Sequence, residues 1–196
     1  MNALEAILTR RSTRKFQAKP VELEKLQKIV EAGRFAPTGG NCQSNHFFVI
    51  SNPDVLKKLV ELVQSAFAAM ELHDGLYKSL QNSIRLSQKG NYVFDYNAPA
   101  LVVVACQKDY GNNMADVACA LENMMVAANE LDLGSCYINQ LKWLNEDPTL
   151  LAYFKTLGLK DSERIYGSVA IGYADTETGL PNRKMPERTG NEVEFI

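Results

Sequence analysis

The chain of 196 residues contains few of the residues and motifs that define metal proteins or disulfide-stabilised domains. It has two histidines and four cysteines, with no Cys-x-x-Cys pair and no histidine at metal-ligand spacing from a cysteine. It also has no G-x-G-x-x-G fingerprint, no phosphate-loop G-x-x-x-x-G-K and no H-E-x-x-H helix. We therefore expect no metal site, and nothing supports a classical dinucleotide-binding, nucleotide-triphosphate or zinc-hydrolase motif.

A charge excess of one sign and long apolar runs are missing as well. The formal net charge is −2, so the bulk charge gives no reason to expect nucleic acid or an anionic membrane as a partner. No apolar run approaches the roughly 20 residues that a membrane helix needs. Arg10 and Arg11 follow the first apolar residues instead of preceding them, which is not typical of a secretory signal. These absences predict a cytoplasmic protein without nucleic-acid or membrane partners.

What the sequence does contain is the composition of a globular protein, with 46% hydrophobic and 22% charged residues. Apolar periodicity predicts helices over residues 20–34, 54–72, 115–131 and 148–157, and strands over residues 46–50, 100–106, 135–139 and 165–173. Polar and glycine breaks over residues 73–97 predict a broken helix and a loop. The mixed order predicts one α+β domain over residues 1–196.

Three segments carry further expectations about burial. Residues 100–106 form a continuous apolar run, which is typical of a central strand. The helix over residues 115–131 is apolar around most of its circumference and is expected in the core or at a subunit interface. The tail over residues 179–196 is mostly polar but ends in Val193-Glu194-Phe195-Ile196, so it should fray unless it docks, for example on a sheet edge of another subunit.

Two basic clusters are candidates for binding an anion. The first is Arg10-Arg11-Ser12-Thr13-Arg14, and the second is Arg183-Lys184, which lies between two prolines. A guanidinium donates two parallel charge-assisted hydrogen bonds to a phosphate or to the edge of a planar heterocycle. The alternative interpretations are cations collected near a helix C-terminus for the first cluster and a solvated loop for the second.

A third candidate is the loop Ala36-Pro37-Thr38-Gly39-Gly40-Asn41-Cys42-Gln43-Ser44-Asn45. Its glycines permit close approach of the backbone to a ligand, and its amide side chains both donate and accept hydrogen bonds. A plain polar turn explains this segment equally well. Because the chain offers no obvious acid, base or metal, its chemistry is expected to belong to a bound cofactor.

Taken together, these segments resemble the nitroreductase family, the FMN-dependent NAD(P)H oxidoreductases. Residues 10–16 resemble the family's R-R-S-x-R-x-F signature, and residues 36–43 resemble its A-P-S-G-x-N-x-Q loop. Three further segments are similar to the family's F-x-x-A-P, L-G-S-C-W-I and G-Y-P…R-K motifs, namely residues 94–99, 133–138 and 172–184. The motifs occur in the family's order along nearly the whole chain.

The resemblance implies a nitroreductase-like fold with a central, mostly antiparallel sheet surrounded by helices. It implies a homodimer that binds FMN at its interface, with a C-terminal arm of about residues 185–196 that adds a strand to the partner's sheet. The implied electron donor is NAD(P)H, and the implied reaction is a ping-pong, two-electron reduction of a nitroaromatic, a quinone or another small conjugated acceptor. The alternatives are a flavoenzyme of the same fold with a dedicated reaction, such as dehalogenation, ring oxidation or flavin fragmentation, or a redox sensor with little turnover.

The resemblance also assigns roles to individual residues. Arg10 would face the phosphate of FMN and Arg14 the N1/O2 side of the ring, and the backbone near Asn139 and Gln140 would approach flavin N5. The full set of expected FMN-binding residues is Arg10, Arg11, Ser12, Arg14, Pro37, Thr38, Gly39, Asn41, Gln43, Ile138, Asn139, Arg183 and Lys184, with Thr38, Gly39, Asn41 and Gln43 reaching the flavin from the partner subunit. The family also places a ring-edge contact near residues 67–75, where this sequence shows no clear motif.

One departure from the family concerns the amide loop. Gln43-Ser44-Asn45-His46 stands where the family has Q-P-W-H, which removes a rigid proline and a large aromatic ring beside the expected flavin site. Cys42 occupies the variable position of the loop, either as a passive small side chain or as a thiol near the flavin. Cys106, Cys119 and Cys136 lie in apolar stretches and are expected to be buried.

Overall fold

A computed structural model describes all 196 residues of the protein. Its centre is one four-stranded sheet with the order β1-β2-β4-β3, in which every neighbouring pair is antiparallel. The strands are β1 His46–Ile50, β2 Ala100–Gln107, β3 Gly134–Ile138 and β4 Glu163–Gly172. The helices are α1 Ala3–Thr9, α2 Leu23–Arg34, α3 Pro53–Ala68, α4 Lys78–Gln88, α5 Asn113–Glu130, α6 Gln140–Trp143 and α7 Pro148–Thr156, with a short 3₁₀ turn at Gly39–Asn41.

Helices cover both faces of this sheet, so the sheet has two hydrophobic cores. On one face, α3, α4 and α7 bury Phe67, Ile84 and Phe154. On the other face, α2 and α5 bury Ile29 and Met124 against the sheet. The central position of β2 follows from its apolar run, because its residues must satisfy both cores at once. The predicted α+β fold with an antiparallel sheet is therefore confirmed.

Several predicted boundaries are corrected by the structure. The first long helix begins at Leu23 rather than at residue 20, because Glu22 has an extended backbone and acts as its N-cap. The helix predicted over residues 54–72 ends at Ala68. The broken segment over residues 73–97 contains a regular helix, α4, whose buried face includes Ser83 and Ser87 and therefore does not read as an apolar stripe. Cys106 and Cys136 are buried as expected, but Cys119 is exposed on α5.

The two outer strands have different surroundings. Beside β3, Thr13 N–H donates to the Ser135 carbonyl at 2.9 Å, so the N-terminal segment continues the sheet there. The outer edge of β1 has no strand beside it. The tail after Gly179 forms no regular element, and Val193 and Phe195 are 71% and 97% exposed. None of the helices combines the length and the apolar character that crossing a membrane requires.

Candidate functional site

The segment Arg10–Phe16 lies along β3 and is fixed at several points by backbone hydrogen bonds. Besides the Thr13 bond, Asp175 N–H donates to the Lys15 carbonyl at 3.0 Å and Gln17 N–H donates to the Tyr173 carbonyl at 2.9 Å. The close approach requires glycine in β3, because a Cβ on Gly134 would lie 2.5 Å from Thr13 Oγ1. The side chains of this segment are therefore presented from a fixed backbone rather than from a mobile terminus.

Arg14 lines a cavity of about 500 Å³ together with Gln140, which follows β3. This volume lies within the range of small-molecule and cofactor sites. The side chain of Arg14 is exposed and makes no salt bridge within the chain, so its donors are available to a ligand. Polar groups line most of the remaining wall, which is formed by Lys15, Phe16, Ser79, Asn82, Ser83, Leu86, Asn91, Tyr92, Val93, Tyr96, Asn97 and Asp175.

The other cations of the N-terminal cluster gather with the second basic pair. Arg11 Nε donates to the Lys184 carbonyl at 2.8 Å, which brings residues 183–184 beside residues 10–11. Burial, followed by the charges of Arg188 and Arg10, lowers the pKa of Arg11. Arg10 Nε lies 3.4 Å from Glu122 Oε1, but the atom is buried and makes no hydrogen bond of normal geometry. Like charges held together in this way favour binding of an anion.

Arg183 has partners of its own at the C-terminal end of α5. Its guanidinium donates to Asn129 Oδ1 at 3.1 Å and to Asp132 Oδ1 at 2.7 Å, and also to the Asn129 carbonyl. One of these contacts adds a donor to a carbonyl in the last turn of α5, where carbonyl groups lack α-helical partners, and the other two are made to side-chain oxygens. The exposed Lys184 side chain has no such partners. Of this basic pair, Lys184 is therefore the cation that is free to meet an anion.

The amide loop lies beside the N-terminal end of α5. Gly39 N–H donates to both carboxylate oxygens of Asp116 at 3.2 Å, and Tyr110 OH donates to the Gly39 carbonyl at 3.2 Å. Asn41 and Gln43 have left-handed backbones, with φ of 55° and 48°. Asn and Gln at such angles require support from their surroundings. The loop is therefore held in one shape rather than being a plain polar turn.

Inside the loop, Gln43 N–H donates to Thr38 Oγ1 at 3.1 Å, and Gln43 Nε2 donates to Asn41 Oδ1 at 3.2 Å. Pro37 is exposed and Gly39 is half-buried. The loop leads into β1, whereas the Arg14 cavity borders β3 at the opposite edge of the sheet, and no loop residue lines that cavity. A single chain therefore does not bring the two predicted halves of the site together.

The Cys42 thiol lies at the exposed side of this loop. Its Sγ is 3.3 Å from Ser44 Oγ, which in turn is 3.2 Å from the Sγ of the buried Cys106. Hydrogen bonds with Ser44 and Tyr110 lower the pKa of Cys42. This thiol belongs to the polar contacts of the loop and not to the Arg14 cavity.

The end of β3 carries three predicted residues, of which only the buried Gln140 lines the cavity, whereas the buried Ile138 and the half-buried Asn139 do not. Sequence reasoning missed the wall opposite them. The ring-edge segment expected near residues 67–75 does not line the cavity, and α4 contributes Ser79, Asn82 and Ser83 instead. These three polar residues have i, i+3, i+4 spacing, a signal that becomes visible only once α4 is identified as a helix.

The chain is similar to known proteins over nearly its whole length. Residues 7–173 match the profile of the nitroreductase family. A nitroreductase of Bacteroides fragilis, crystallised with bound FMN, shares 34% identity over 99% of this chain and 100% of its own, with a TM-score of 0.84. A nitroreductase of Desulfitobacterium hafniense, also with bound FMN, shares 25% identity over 99% of this chain and 100% of its own, with a TM-score of 0.79.

A curated relative is found in Archaeoglobus fulgidus. This protein is provisionally named an NADH dehydrogenase/NAD(P)H nitroreductase, and it is 28% identical over 96% of this chain and 97% of its own length. The likeness therefore extends over the whole chain in sequence as well as in fold.

Proposed function

The chain belongs to the nitroreductase family, and from that premise we propose that it is an FMN-dependent oxidoreductase. It takes electrons from NAD(P)H and passes two of them to a small conjugated acceptor, such as a nitroaromatic or a quinone. The observation that carries the proposal is the cavity beside β3, which is lined by the unpaired Arg14 cation and by Gln140, whose buried Oε1 has no hydrogen-bond partner in the chain.

The residues present fit FMN. The cavity of about 500 Å³ has room for a planar ring, and Arg14 and Gln140 offer it polar contacts. The cations Arg10, Arg11 and Lys184 gather beside this segment, where they can receive a phosphate. The buried Arg10 Nε, which makes no hydrogen bond within the chain, is a donor that such an anion would satisfy. When bound, FMN supplies the hydride-accepting and hydride-donating chemistry.

The chain's own residues then bind the cofactor and orient it. Arg14 places a fixed positive charge at the N1/O2 side of the ring, where electrons add negative charge, and a fixed cation stabilises this charge without reorganising. Ser12, Arg10, Arg11 and Lys184 hold the phosphate end. Arg183 contributes by fixing the segment that carries Lys184 to the end of α5. The backbone after Ile138, at Asn139 and Gln140, approaches the N5 position.

The second half of the site comes from another copy of the chain. Thr38, Gly39, Asn41 and Gln43, with Pro37, form a rigid loop at the β1 edge, and an identical subunit related by two-fold symmetry would bring it to the β3 edge. An apolar cavity of about 590 Å³ between α1 and α5, lined by Ala6, Ile7 and Val126 among others, supports a subunit contact near these helices.

The C-terminal arm over residues 185–196 completes this homodimer. The outer edge of β1 is unpaired and has a groove of about 430 Å³ beside it, lined by Phe48, Val49 and Ile50 among others. The alternating Val193 and Phe195 suit a strand that pairs with such an edge. We place the arm on the partner subunit's β1.

Anaerobic reduction tests the proposed activity. The protein, reconstituted with FMN, is mixed with NADH or NADPH, and its visible absorbance is followed before a panel of nitroaromatics and quinones is added. Loss of absorbance with either nucleotide and its return with an acceptor are the expected results. Protein that retains FMN but is reduced by neither nucleotide would contradict the proposal, as would a chain that binds no FMN.

A further inference from the structure

A short chain of hydrogen bonds runs from α4 to the end of β3 behind the Arg14 cavity. Gln140 Nε2 donates to Tyr92 OH at 2.8 Å, Tyr92 OH lies 2.8 Å from Ser83 Oγ, and Ser83 Oγ donates to the Ser79 carbonyl at 3.0 Å. Ser83, Tyr92 and Gln140 are only 1%, 8% and 8% exposed. Water therefore does not compete for these contacts, and the three side chains must satisfy one another.

Counting the available hydrogens shows that this chain of hydrogen bonds, called the relay below, can run in only one direction. The three contacts need three hydrogens, and the Ser83 hydroxyl must donate to the Ser79 carbonyl because a carbonyl has none. The Tyr92 hydroxyl then donates to Ser83, and the hydrogen for the third contact must come from the amide NH₂ of Gln140. If the Gln140 amide were turned over, the Tyr92 hydroxyl would have to donate its hydrogen to the amide carbonyl. No hydrogen would then remain for the contact between Tyr92 and Ser83. The relay therefore fixes which end of the Gln140 amide points away from Tyr92.

The end that points away is the carbonyl oxygen. Gln140 Oε1 is buried and has no hydrogen-bond partner in the chain, although Gln140 lines the same cavity as Arg14. A buried carbonyl left without a donor is unfavourable. The cavity is thus lined by a donor-only cation, Arg14, and by Gln140, whose locked acceptor oxygen has no partner in the chain.

Building on the proposed function, we infer that Gln140 Oε1 accepts a hydrogen bond from the N3–H of the FMN ring, with Tyr92 and Ser83 acting as positioning residues that hold the amide in this orientation. N3–H is the one N–H group of the oxidised ring system, and it lies between two carbonyl groups, which accept hydrogen bonds. Arg14 suits the O2 side, and a locked carbonyl suits the neighbouring N3–H. Gln140 thereby selects a ring that presents a donor at this position.

Binding of a methylated cofactor tests the inference directly. Apoprotein is titrated with FMN and with 3-methyl-FMN, in which a methyl group replaces the N3 hydrogen, and the dissociation constants are read from the quenching of flavin fluorescence. Wild-type protein should prefer FMN by about tenfold to a hundredfold, the effect of leaving one buried acceptor unsatisfied. Gln140→Met keeps the size but removes the acceptor, so it should weaken FMN about tenfold or more while leaving the affinity for 3-methyl-FMN unchanged.

Other results would overturn the inference. Equal weakening of both flavins by Gln140→Met, or no weakening of either, would show that the amide does not meet N3–H. Wild-type protein that binds both flavins equally well would have the same meaning, whereas wild-type protein that binds no flavin at all would instead defeat the proposed function. Thermal unfolding of each apoprotein identifies a variant that fails to fold. If Gln140→Met does not fold, Gln140→Leu, which also lacks the acceptor oxygen, replaces it and should weaken FMN in the same way.

The relay has a test of its own. Tyr92→Phe removes the hydroxyl that holds the amide, so Gln140 can turn and the preference for FMN over 3-methyl-FMN should shrink several-fold. Ser87→Ala is the matched control, because Ser87 is another buried serine of α4 but neither lines the cavity nor joins the relay. The ratio of the two affinities should not change in this control. An unchanged ratio in Tyr92→Phe would show that the relay does not orient Gln140.

Discussion

The two outer edges of the sheet differ in how much of their pairing the chain itself supplies. The N-terminal segment lies along β3, with Ser12 and Ser135 forming an isolated parallel bridge. β1 pairs only with β2, and its free side is bordered by an apolar groove. An unpaired edge is a template for another strand. The β3 edge is therefore paired within one chain, whereas the free β1 edge and the loop beside it suit the proposed contact with a second chain.

The polar groups beside the two edges show the same contrast. Near β1, contacts with Thr38, Asn41 and the α5 residue Asp116 satisfy most polar atoms of the amide loop, and one loop atom, Asn45 Oδ1, is buried without a hydrogen-bond partner. Near β3, two atoms are buried without a hydrogen bond: Arg10 Nε, which has only an ion pair with Glu122 at 3.4 Å, and Gln140 Oε1. Buried unsatisfied groups are unfavourable unless a ligand satisfies them. The β3 side is therefore where binding energy is available, whereas the loop is a preformed wall that a partner can bring to it.

Removing the C-terminal arm should have the largest effect on this arrangement. A chain truncated after Pro186 loses the apolar residues Val193, Phe195 and Ile196, so both the strand pairing on β1 and the apolar burial are lost. We expect the truncated protein to sediment mainly as a monomer and to lose its FMN on gel filtration, while the full-length protein sediments as a dimer and keeps it.

Single substitutions locate this effect within the arm. Phe195→Ser should weaken association, whereas Glu194→Ser, one residue away on the opposite face of an extended strand, should leave it unchanged. A truncated protein that remains a dimer would refute the exchanged arm, and a full-length monomer that retains FMN would refute the shared site.

Loss of the free cation at the β3 side should have the next largest effect. Arg14→Ala removes a charge-assisted hydrogen bond, which contributes on the order of 1.5–3 kcal/mol, and should weaken FMN binding accordingly. The flavin's reduction potential should also fall, because the cation no longer favours the added negative charge. Arg85→Ala is the matched control, since Arg85 is an exposed arginine on α4 that makes no salt bridge and does not line the cavity. Unchanged affinity and potential in Arg14→Ala would show that this guanidinium does not face the flavin.

How far the sequence predicts this structure depends on where the signal lies. β1 occurs at the predicted residues, 46–50, and β2 is central as expected. Both predictions hold because the burial of an apolar strand can be recognised from its own short run of residues. Where α4 lies, the sequence predicts only a broken helix and a loop, because two of the buried positions are Ser83 and Ser87, which pack by hydrogen bonding or small size rather than by apolar periodicity. No local pattern distinguishes them from a solvated segment.

The candidate site likewise has a part that the sequence predicts and a part that it does not. Its segments could be identified from short motifs, each of which lies within a few residues of chain. Other contacts join residues that are 48 to 54 positions apart in the chain. They are the contacts of Arg183 with Asn129 and Asp132 and the contact of Gln140 with Tyr92. Such pairings depend on how α5, α4 and β3 pack, and only the folded chain shows them.

Two buried carboxylates, Asp95 and Glu163, should make the stability of the two regions depend on pH in opposite ways. Burial raises the pKa of Asp95 to about 6, and this residue begins the turn whose Tyr96 and Asn97 line the Arg14 cavity. A folded-state pKa above the unfolded one means that stability is lost as pH rises from about 4 to about 6. Asp95→Asn retains an oxygen for the Asn97 N–H. In urea unfolding it should be more stable than wild type by on the order of 2 kcal/mol at pH 7.5, and equally stable near pH 4.

Glu163, which bonds to His46 on β1, should show the opposite behaviour. Burial raises its pKa, but hydrogen bonds from His46 Nδ1 at 3.0 Å and from Lys160 N–H at 3.0 Å outweigh burial and leave the pKa below its ordinary value. Stability from this group is present above its unfolded pKa and is lost as pH falls. Glu163→Gln should therefore be less stable than wild type at neutral pH, with the difference closing toward low pH. The same pH slope in both variants would contradict this pairing.

The smallest expected signal gives the most direct evidence on which chain supplies each half-site. Arg14→Ala damages the β3 half and Asn41→Ala damages the loop half, so each homodimer should bind FMN weakly at both sites. In a mixed dimer that shares its sites, one site receives both substitutions and the other receives neither. Random exchange of equal amounts should therefore restore wild-type affinity to about a quarter of all sites, since half of the dimers are mixed and half of their sites are intact. FMN titration after unfolding and refolding the two variants together measures this fraction, with separately refolded variants as the control. If both halves came from one chain, the mixture would bind no better than its components, and the contrast between the two edges would not reflect a shared site.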